Sequence, residues 1–349
     1  MKRPLWILAA TAAALLLMLG VYHATRPVSA LPSAEETQAQ LEDLGVRFSA
    51  AIENRRDVTP ILEQVRPLVA QSPRLRDGRT LLGQLYAHLG RNADAYAQFA
   101  AALELDPIDP PLQNLAGTAA LLAGDLLAAE THHRLAVQQA PDRPRLLLSL
   151  ADVYLKTQRW DLARNMLLRA LELELTLHEA NAALSDVYAG RGQPGDAVLA
   201  IQQMEKALAQ LPIRDETLPQ RVTYARKLAR RYADRDDPME AVAVLDSLPP
   251  AHRFSSDVLA EVAAYLHANR QTALAGLQYE LALDHRPRDP ELAALAARWY
   301  ARGGDAPAAR AMLERLESLH PRHPAIPEIH QLLDHAPASD PADPADPAP

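Results

Sequence analysis

A sparse pattern of small residues, repeated seven times, constrains the fold of this 349-residue chain more than any other feature. Each copy has a small residue, an aromatic or apolar residue three positions later and, in most copies, an alanine nine positions after that. Two small residues on facing helices allow the helices to approach closely, and a proline near the end of most copies stops the second helix. The pattern therefore predicts helical hairpins. The small residues are Gly83, Gly117, Ala151, Ser185, Ala229, Ala263 and Ala297. The alanines are Ala95, Ala129, Ala163, Ala200, Ala241, Ala275 and Ala309.

The clearest copy runs from residue 76 to residue 109, and the next copies follow at intervals of 34 residues. Its signature residues are Leu82, Gly83, Tyr86, Ala95, Phe99, Ala102 and Pro107. This spacing resembles the tetratricopeptide-repeat family over most of the chain. Three positions depart from the family pattern: Arg79 replaces a frequent Trp, His133 occupies a large apolar position, and Leu175 replaces a closing proline.

The resemblance implies an all-α fold, a right-handed superhelix (α-solenoid) of helical hairpins. Extending the pattern backwards places Phe48, Ser49 and Ile52 on a degenerate first copy, which we interpret as a cap. The predicted segments are an N-terminal anchor (1–30), the degenerate repeat (34–75), repeats one to four (76–212), repeats five to seven (222–323), a capping helix (324–335) and a disordered acidic tail (336–349).

The N-terminus has the features of a membrane segment. Lys2 and Arg3 precede an uncharged run over 4–22, long enough for a helix to cross a hydrocarbon core of about 30 Å. We therefore predict a transmembrane signal anchor in a bacterial inner membrane, with the N-terminus cytoplasmic and the repeats periplasmic. The alternative is a cleaved signal peptide, because residues 28–30 suit a signal peptidase.

Composition excludes several classes of function. The chain has no cysteine, so disulfides, thiolate metal sites and thiol nucleophiles are excluded. Its formal net charge is -8, which argues against a nucleic-acid partner. Motifs for hydrolases, metalloproteases and phosphate-binding loops are also missing, so we predict that the protein is not an enzyme and has no cofactor.

Two motifs resemble binding sites. Gly190, Gly192 and Gly195 spell the dinucleotide fingerprint, but the residues before them are expected to be helical, so we interpret the motif as a turn between helices. Histidines concentrate near the C-terminus, where prolines interrupt any single helical face. We interpret them as solvated rather than as metal ligands. They are His320, His323, His330 and His335.

The resemblance also implies where a partner binds. In the family, a concave groove is lined by the first helices of the repeats, and matching those positions gives a polar groove of mixed charge. A cluster of basic residues over 221–231 supports a grip on a charged peptide, although a solvated charged face is the plainer interpretation. The matched positions are Gln84, His88, Asn114, Thr118, Asp152, Lys156, Asp186, Arg226, Arg230 and Arg298.

We therefore predict an adaptor that binds an extended or helical peptide segment of another protein during assembly of an envelope complex. The alternative is a structural scaffold that associates with itself and needs no peptide ligand. An enzymatic role is least favoured, because no segment outside the repeats is large enough for a catalytic domain.

Overall fold

The computed structural model describes residues 33–335, and throughout that range the chain is built of helices and turns, without β-strands. The predicted anchor (1–30) and acidic tail (336–349) lie outside the described residues. The chain divides into two compact units, residues 1–139 (unit 1) and 140–349 (unit 2), which we describe separately.

Unit 1 contains three successive helical hairpins. The helix pairs are α1 (Ala34–Glu53) with α2 (Thr59–Gln71), α3 (Arg76–His88) with α4 (Asn92–Leu103), and α5 (Pro110–Ala123) with α6 (Leu126–Gln139). Sequence signals explain their ends. Ser33 and Glu36 form a capping box at the start of α1, Asp109 caps α5, and Gly124 ends α5 in a left-handed conformation.

The first hairpin differs from the expected register. In α1 the buried residues include Phe48 and Ala51, whereas Ser49 and Ile52 are exposed. The backward extension of the pattern is therefore wrong for Ser49 and Ile52. As the first helix described, α1 packs mainly against α2 and α3. Its long apolar stripe is set by these two neighbours.

Unit 2 contains five hairpins and a final helix. The helix pairs are α7 (Pro144–Lys156) with α8 (Trp160–Leu173), α9 (His178–Arg191) with α10 (Asp196–Gln210), α11 (Leu218–Ala233) with α12 (Pro238–Asp246), α14 (Ser256–Ala268) with α15 (Thr272–His285), and α16 (Pro290–Arg302) with α17 (Ala306–Leu319). A short 3₁₀ helix (Asp215–Thr217) precedes α11, and a four-residue helix α13 (Pro250–Arg253) precedes α14. The last helix, α18 (Ile326–His335), packs on α16 and α17 and buries Ile329.

The spacing of small residues that repeats along the chain places them at the helix contacts. All seven alanines of the pattern are fully buried, as expected if each lies where the two helices of a hairpin meet. Gly83 and Gly117 are buried on the facing helices. These contacts confirm the prediction of helical hairpins.

Hydrogen bonds also join consecutive repeats at their turns. A long polar side chain near the end of one second helix donates to a backbone carbonyl in the turn that ended the repeat before it. Each bond therefore gives a partner to a carbonyl in a turn, where the helical pattern of backbone hydrogen bonds has stopped. The pairs are Gln139 with Pro107 in unit 1, and Arg169 with Pro141, Gln210 with Leu175, Arg286 with Phe254, and Arg315 with Pro287 in unit 2.

Between residues 33 and 335, no helix combines the length and the hydropathy that crossing a bilayer requires.

Candidate functional site

The ten candidate groove residues all lie on the first helices of their hairpins, on the part of each helix that remains open to solvent. We call this solvent-accessible side the first-helix face. Unit 1 carries four of the candidates and unit 2 carries six. Five are exposed, namely His88, Thr118, Asp152, Lys156 and Arg230. Five are half-buried, namely Gln84, Asn114, Asp186, Arg226 and Arg298.

In unit 1, Gln84 lines an open cavity of about 240 Å³ between α1 and α3. The amide of Gln38 crosses this cavity and donates to carboxylates on both helices, Glu42 and Asp77, at 3.1 Å each. One turn after Gln84, the ring of His88 meets Phe48 edge to face, with 5.9 Å between centroids. This part of the first-helix face therefore presents amides and carboxylates.

Asn114 has a partner inside its own hairpin. Its Oδ1 lies 3.1 Å from Nδ1 of His133, the residue that replaces a large apolar side chain in the pattern. His133 is buried against Gly117, and burial, together with neighbouring His132, lowers its pKa to about 4. Asn114 is therefore hydrogen-bonded to a buried imidazole, and Thr118 is the exposed candidate on α5.

In unit 2, ion pairs join neighbouring first helices. The Asp186 carboxylate on α9 accepts from Lys227 Nζ at 2.6 Å and from Arg231 Nη2 at 2.9 Å, both on α11. Arg226, on the same helix α11, faces the next first helix. The basic cluster is therefore largely neutralised by acids of the same chain.

Arg226 pairs with α14. Its guanidinium donates to Glu261 Oε1 at 2.5 Å and to Asp257 Oδ2 at 3.3 Å. Glu261 is the principal cause of a raised Arg226 pKa, followed in the same direction by Asp257. Arg226 is thus a structural cation between two helices.

Arg298 binds the final helix. Its Nη2 lies 2.5 Å from Glu328 Oε2 on α18, and Arg302 approaches the same carboxylate at 3.5 Å. These pairs fasten α18 over the last hairpin. Sequence reasoning did not find the acidic partners of Arg226 and Arg298, which lie 31, 35 and 30 residues further along the chain. A search for acids about one repeat length away could have indicated them.

Among the Asp, Lys and Arg candidates, three have no ion pair within residues 33–335: Asp152, Lys156 and Arg230, all of which are exposed. The Asp152 side chain is exposed on one side, whereas the surrounding protein partly desolvates its carboxylate. This burial raises its pKa to about 6, and nearby Asp186 adds to the effect, while Lys156 and Lys227 oppose it.

The glycine motif closes the turn between α9 and α10. Gly192 and Gly195 have φ of 63° and 87°, and Gly190 lies against the Trp160 ring, where a Cβ would come within 2.5 Å. Arg191 and Asp196 form a two-bond ion pair across this turn, at 2.9 and 2.6 Å. A helix rather than a strand precedes the motif, so it is not a dinucleotide loop.

The C-terminal histidines have separate partners. The interpretation of these residues as solvated is wrong for His323, which is buried, with its Nε2 3.0 Å from Glu291. His330 is exposed and lies 3.5 Å from Glu317. In the part of the chain that the structure describes, no three metal-binding side chains come together.

Comparisons with known proteins agree with this architecture. Residues 77–109 and 120–187 match sequence models of the tetratricopeptide repeat. A comparison with curated proteins gives no match. A family of such repeats typically forms protein-interaction surfaces and is typically non-catalytic.

Several solved structures are similar. The C-terminal part of a tetratricopeptide-repeat protein from Cytophaga hutchinsonii is 15% identical, with a TM-score of 0.51, over 71% of this chain and 97% of that one. A tetratricopeptide-repeat protein from Parabacteroides merdae is 14% identical, with a TM-score of 0.49, over 84% and 98%. The likeness to the Cytophaga structure supports the fold of helical-hairpin repeats.

Proposed function

We propose that this tetratricopeptide-repeat scaffold is a non-enzymatic adaptor that binds an extended or helical segment of a partner protein on its first-helix face. It acts in the assembly of an envelope complex on the extracytoplasmic side of a bacterial inner membrane. The repeats supply the binding surface, and residues 1–30 supply the membrane attachment.

One observation supports the binding mode above the others. The ninth position of each repeat, counted from 76 in the first repeat, stays at least partly open to solvent although the residue before it is buried in every copy. Most of these residues are polar, which suits a partner segment held by several separate contacts. They are Gln84, Thr118, Asp152, Asp186, Arg230, Ala264 and Arg298.

Site-specific crosslinking in cells tests this binding mode. A photoreactive amino acid replaces Ala264, at the ninth position of α14, in the full-length protein. The matched control replaces Leu277, which is exposed on the second helix α15 of the same hairpin. We expect capture of a defined partner from position 264 and much less from position 277.

Arg230→Glu supplies the charge test. Arg230 is exposed and has no ion pair within residues 33–335, so its reversal changes the surface without breaking a salt bridge. Arg226→Glu would instead place a third acid beside Asp257 and Glu261 and would disturb the fold.

Equal capture from both crosslinking positions, or capture only of the protein itself, would contradict the adaptor role.

The location is tested separately. Alkaline phosphatase, which is active only outside the cytoplasm, is fused after residue 335, with residues 1–30 present or deleted. We expect activity in the membrane fraction only when 1–30 is present. Activity released in soluble form would favour the cleaved signal peptide, and an inactive fusion would contradict an extracytoplasmic location.

A self-associating scaffold is the second candidate, and two exposed apolar side chains favour it. Leu175 and Ile213, in the turns after α8 and α10, are each 78% exposed. Such residues are common at contacts between subunits. Sedimentation of the wild type and of the double variant Leu175→Ser, Ile213→Ser tests this role. If the role is correct, the wild type forms an oligomer and the double variant does not.

A further inference from the structure

The ion pairs that Asp186 and Arg226 form in unit 2 follow a regular spacing. Arg226 pairs with acids 31 and 35 residues further along the chain. Asp186 pairs with Lys227 and Arg231, which are 41 and 45 residues further. The fourth repeat is ten residues longer than the others, so both sets of intervals correspond to the same two offsets on the next first helix, three positions before and one position after the equivalent residue.

Asp152 occupies the same position on α7 that Asp186 occupies on α9, 34 residues later. The residues that should pair with it, 31 and 35 positions on, are Ala183 and Val187. Both are buried and apolar. Within residues 33–335, Asp152 therefore has no counterpart of the two cations that bind Asp186.

The surroundings of Asp152 leave its charge incompletely balanced. Lys156, one turn further along α7, and Lys227 attract the carboxylate, whereas Asp186 repels it. Neither cation forms an ion pair with Asp152. A carboxylate with part of its hydration removed gains free energy from a cation that can approach it directly.

We propose that Asp152 binds a lysine or arginine side chain of the partner segment, so that the partner of this face is a basic segment of another protein. This inference rests on the proposed function, because it names the chemistry of the segment bound there. The cation would take the place that Lys227 and Arg231 take at Asp186. The net charge of -8 also favours the approach of a basic partner.

Selection from a phage-displayed library of random linear peptides tests the proposal with the full-length protein. The selected peptides are then titrated against the wild type, Asp152→Asn, and the control Asp142→Asn. Asp142 is an exposed residue in the turn before α7, and its substitution makes the same change in charge. Circular dichroism checks that each variant is folded.

We expect wild-type selection to enrich lysine and arginine, and Asp152→Asn to bind the selected peptides about tenfold more weakly. Asp142→Asn should bind as the wild type does, and Asp152→Lys should select acidic peptides instead. Equal binding by Asp152→Asn, or enrichment of acids by the wild type, would overturn this inference and leave the proposed function standing. If the wild type selects no peptide, the proposed function fails and the inference fails with it.

Discussion

The ring of Phe99 lies directly over Gly83, so that a Cβ atom on Gly83 would come 2.6 Å from Cε1 of Phe99. Phe99 is 1% exposed, and the buried side chains around it leave the ring no room to move. The contact explains why the pattern requires a very small residue on α3 opposite a large one on α4.

The methyl added by Gly83→Ala overpacks the contact, which costs about 1 to 3 kcal/mol. The gain in helix propensity offsets about 1 kcal/mol of this cost, so we expect the free energy of unfolding to fall by up to about 2 kcal/mol. Urea unfolding measures the change. Gly45→Ala in α1 is the matched control, because a Cβ there meets nothing within 4 Å, and it should stabilise the protein. Equal changes in stability at the two sites would show that packing against Phe99 does not determine the effect of Gly83→Ala.

The buried His133 should make stability depend on pH. Its folded pKa of about 4 lies below the ordinary value of 6.5, so between these values the unfolded chain binds more protons and folding stability falls as pH falls. The loss is about 1.4 kcal/mol for each pH unit in this range. Urea unfolding of wild type and His133→Leu at several pH values measures it.

The difference between these two proteins isolates His133 from the other titrating groups. His132 remains in both, and burial lowers its pKa as well. We expect the variant to have the shallower pH dependence. Parallel curves for the two proteins would mean that His133 is protonated in the folded state.

The ion pair in the glycine turn should contribute strongly to stability. The side chains of Arg191 and Asp196 are 11% and 3% exposed, and Asp196 also accepts the backbone N–H of Gln193 at 2.9 Å. We expect Asp196→Ala to lower the free energy of unfolding by about 3 kcal/mol, because Arg191 loses its main counter-ion while buried. Thermal and urea unfolding measure this. Asp161→Ala removes only the exposed outer partner and should cost less than about 1 kcal/mol.

Asp152→Asn should stabilise the free protein at neutral pH. The folded pKa of Asp152, about 6, is above the ordinary 3.8, so its charge opposes folding increasingly as pH rises through this range. The melting temperature of the variant should exceed that of the wild type at pH 7.5 and approach it at pH 4. A lower melting temperature at pH 7.5 would mean that the carboxylate has a stabilising partner.

A gain in stability at the cost of peptide binding would identify Asp152 as a residue retained for function, since binding sites commonly carry unfavourable charges. The melting temperature and the peptide affinity of Asp152→Asn are independent measurements, and both can be made on one protein preparation.

The hairpins were predictable from sequence because their contacts depend on small residues at fixed intervals, and such residues have few alternative roles. Ala95 and Ala129, for example, are fully buried where the pattern places them. The first helix was less predictable. Its buried face is determined by which neighbours it has, and for α1 those are mainly α2 and α3.

The pairing on the first-helix face was not predictable from the family positions alone. Arg226 and Arg230 are one turn apart and chemically identical, yet only Arg226 reaches acids on the next helix. Asn114 likewise matches a groove position, but it hydrogen-bonds to His133. The partner of a long side chain depends on the positions of neighbouring helices to within a few ångströms. A repeat pattern does not specify these positions.

The hydrogen bonds from the ends of five second helices to the preceding turn also give these joints between repeats a mechanical role. Arg315, for instance, holds the carbonyl of Pro287, and Arg286 holds that of Phe254. A force applied to the C-terminal end of unit 2 would load these joints in succession, because in a repeat array each hairpin is held mainly by its neighbours. The chain would then lengthen in steps, with each step releasing one hairpin while those nearer the N-terminus stay folded.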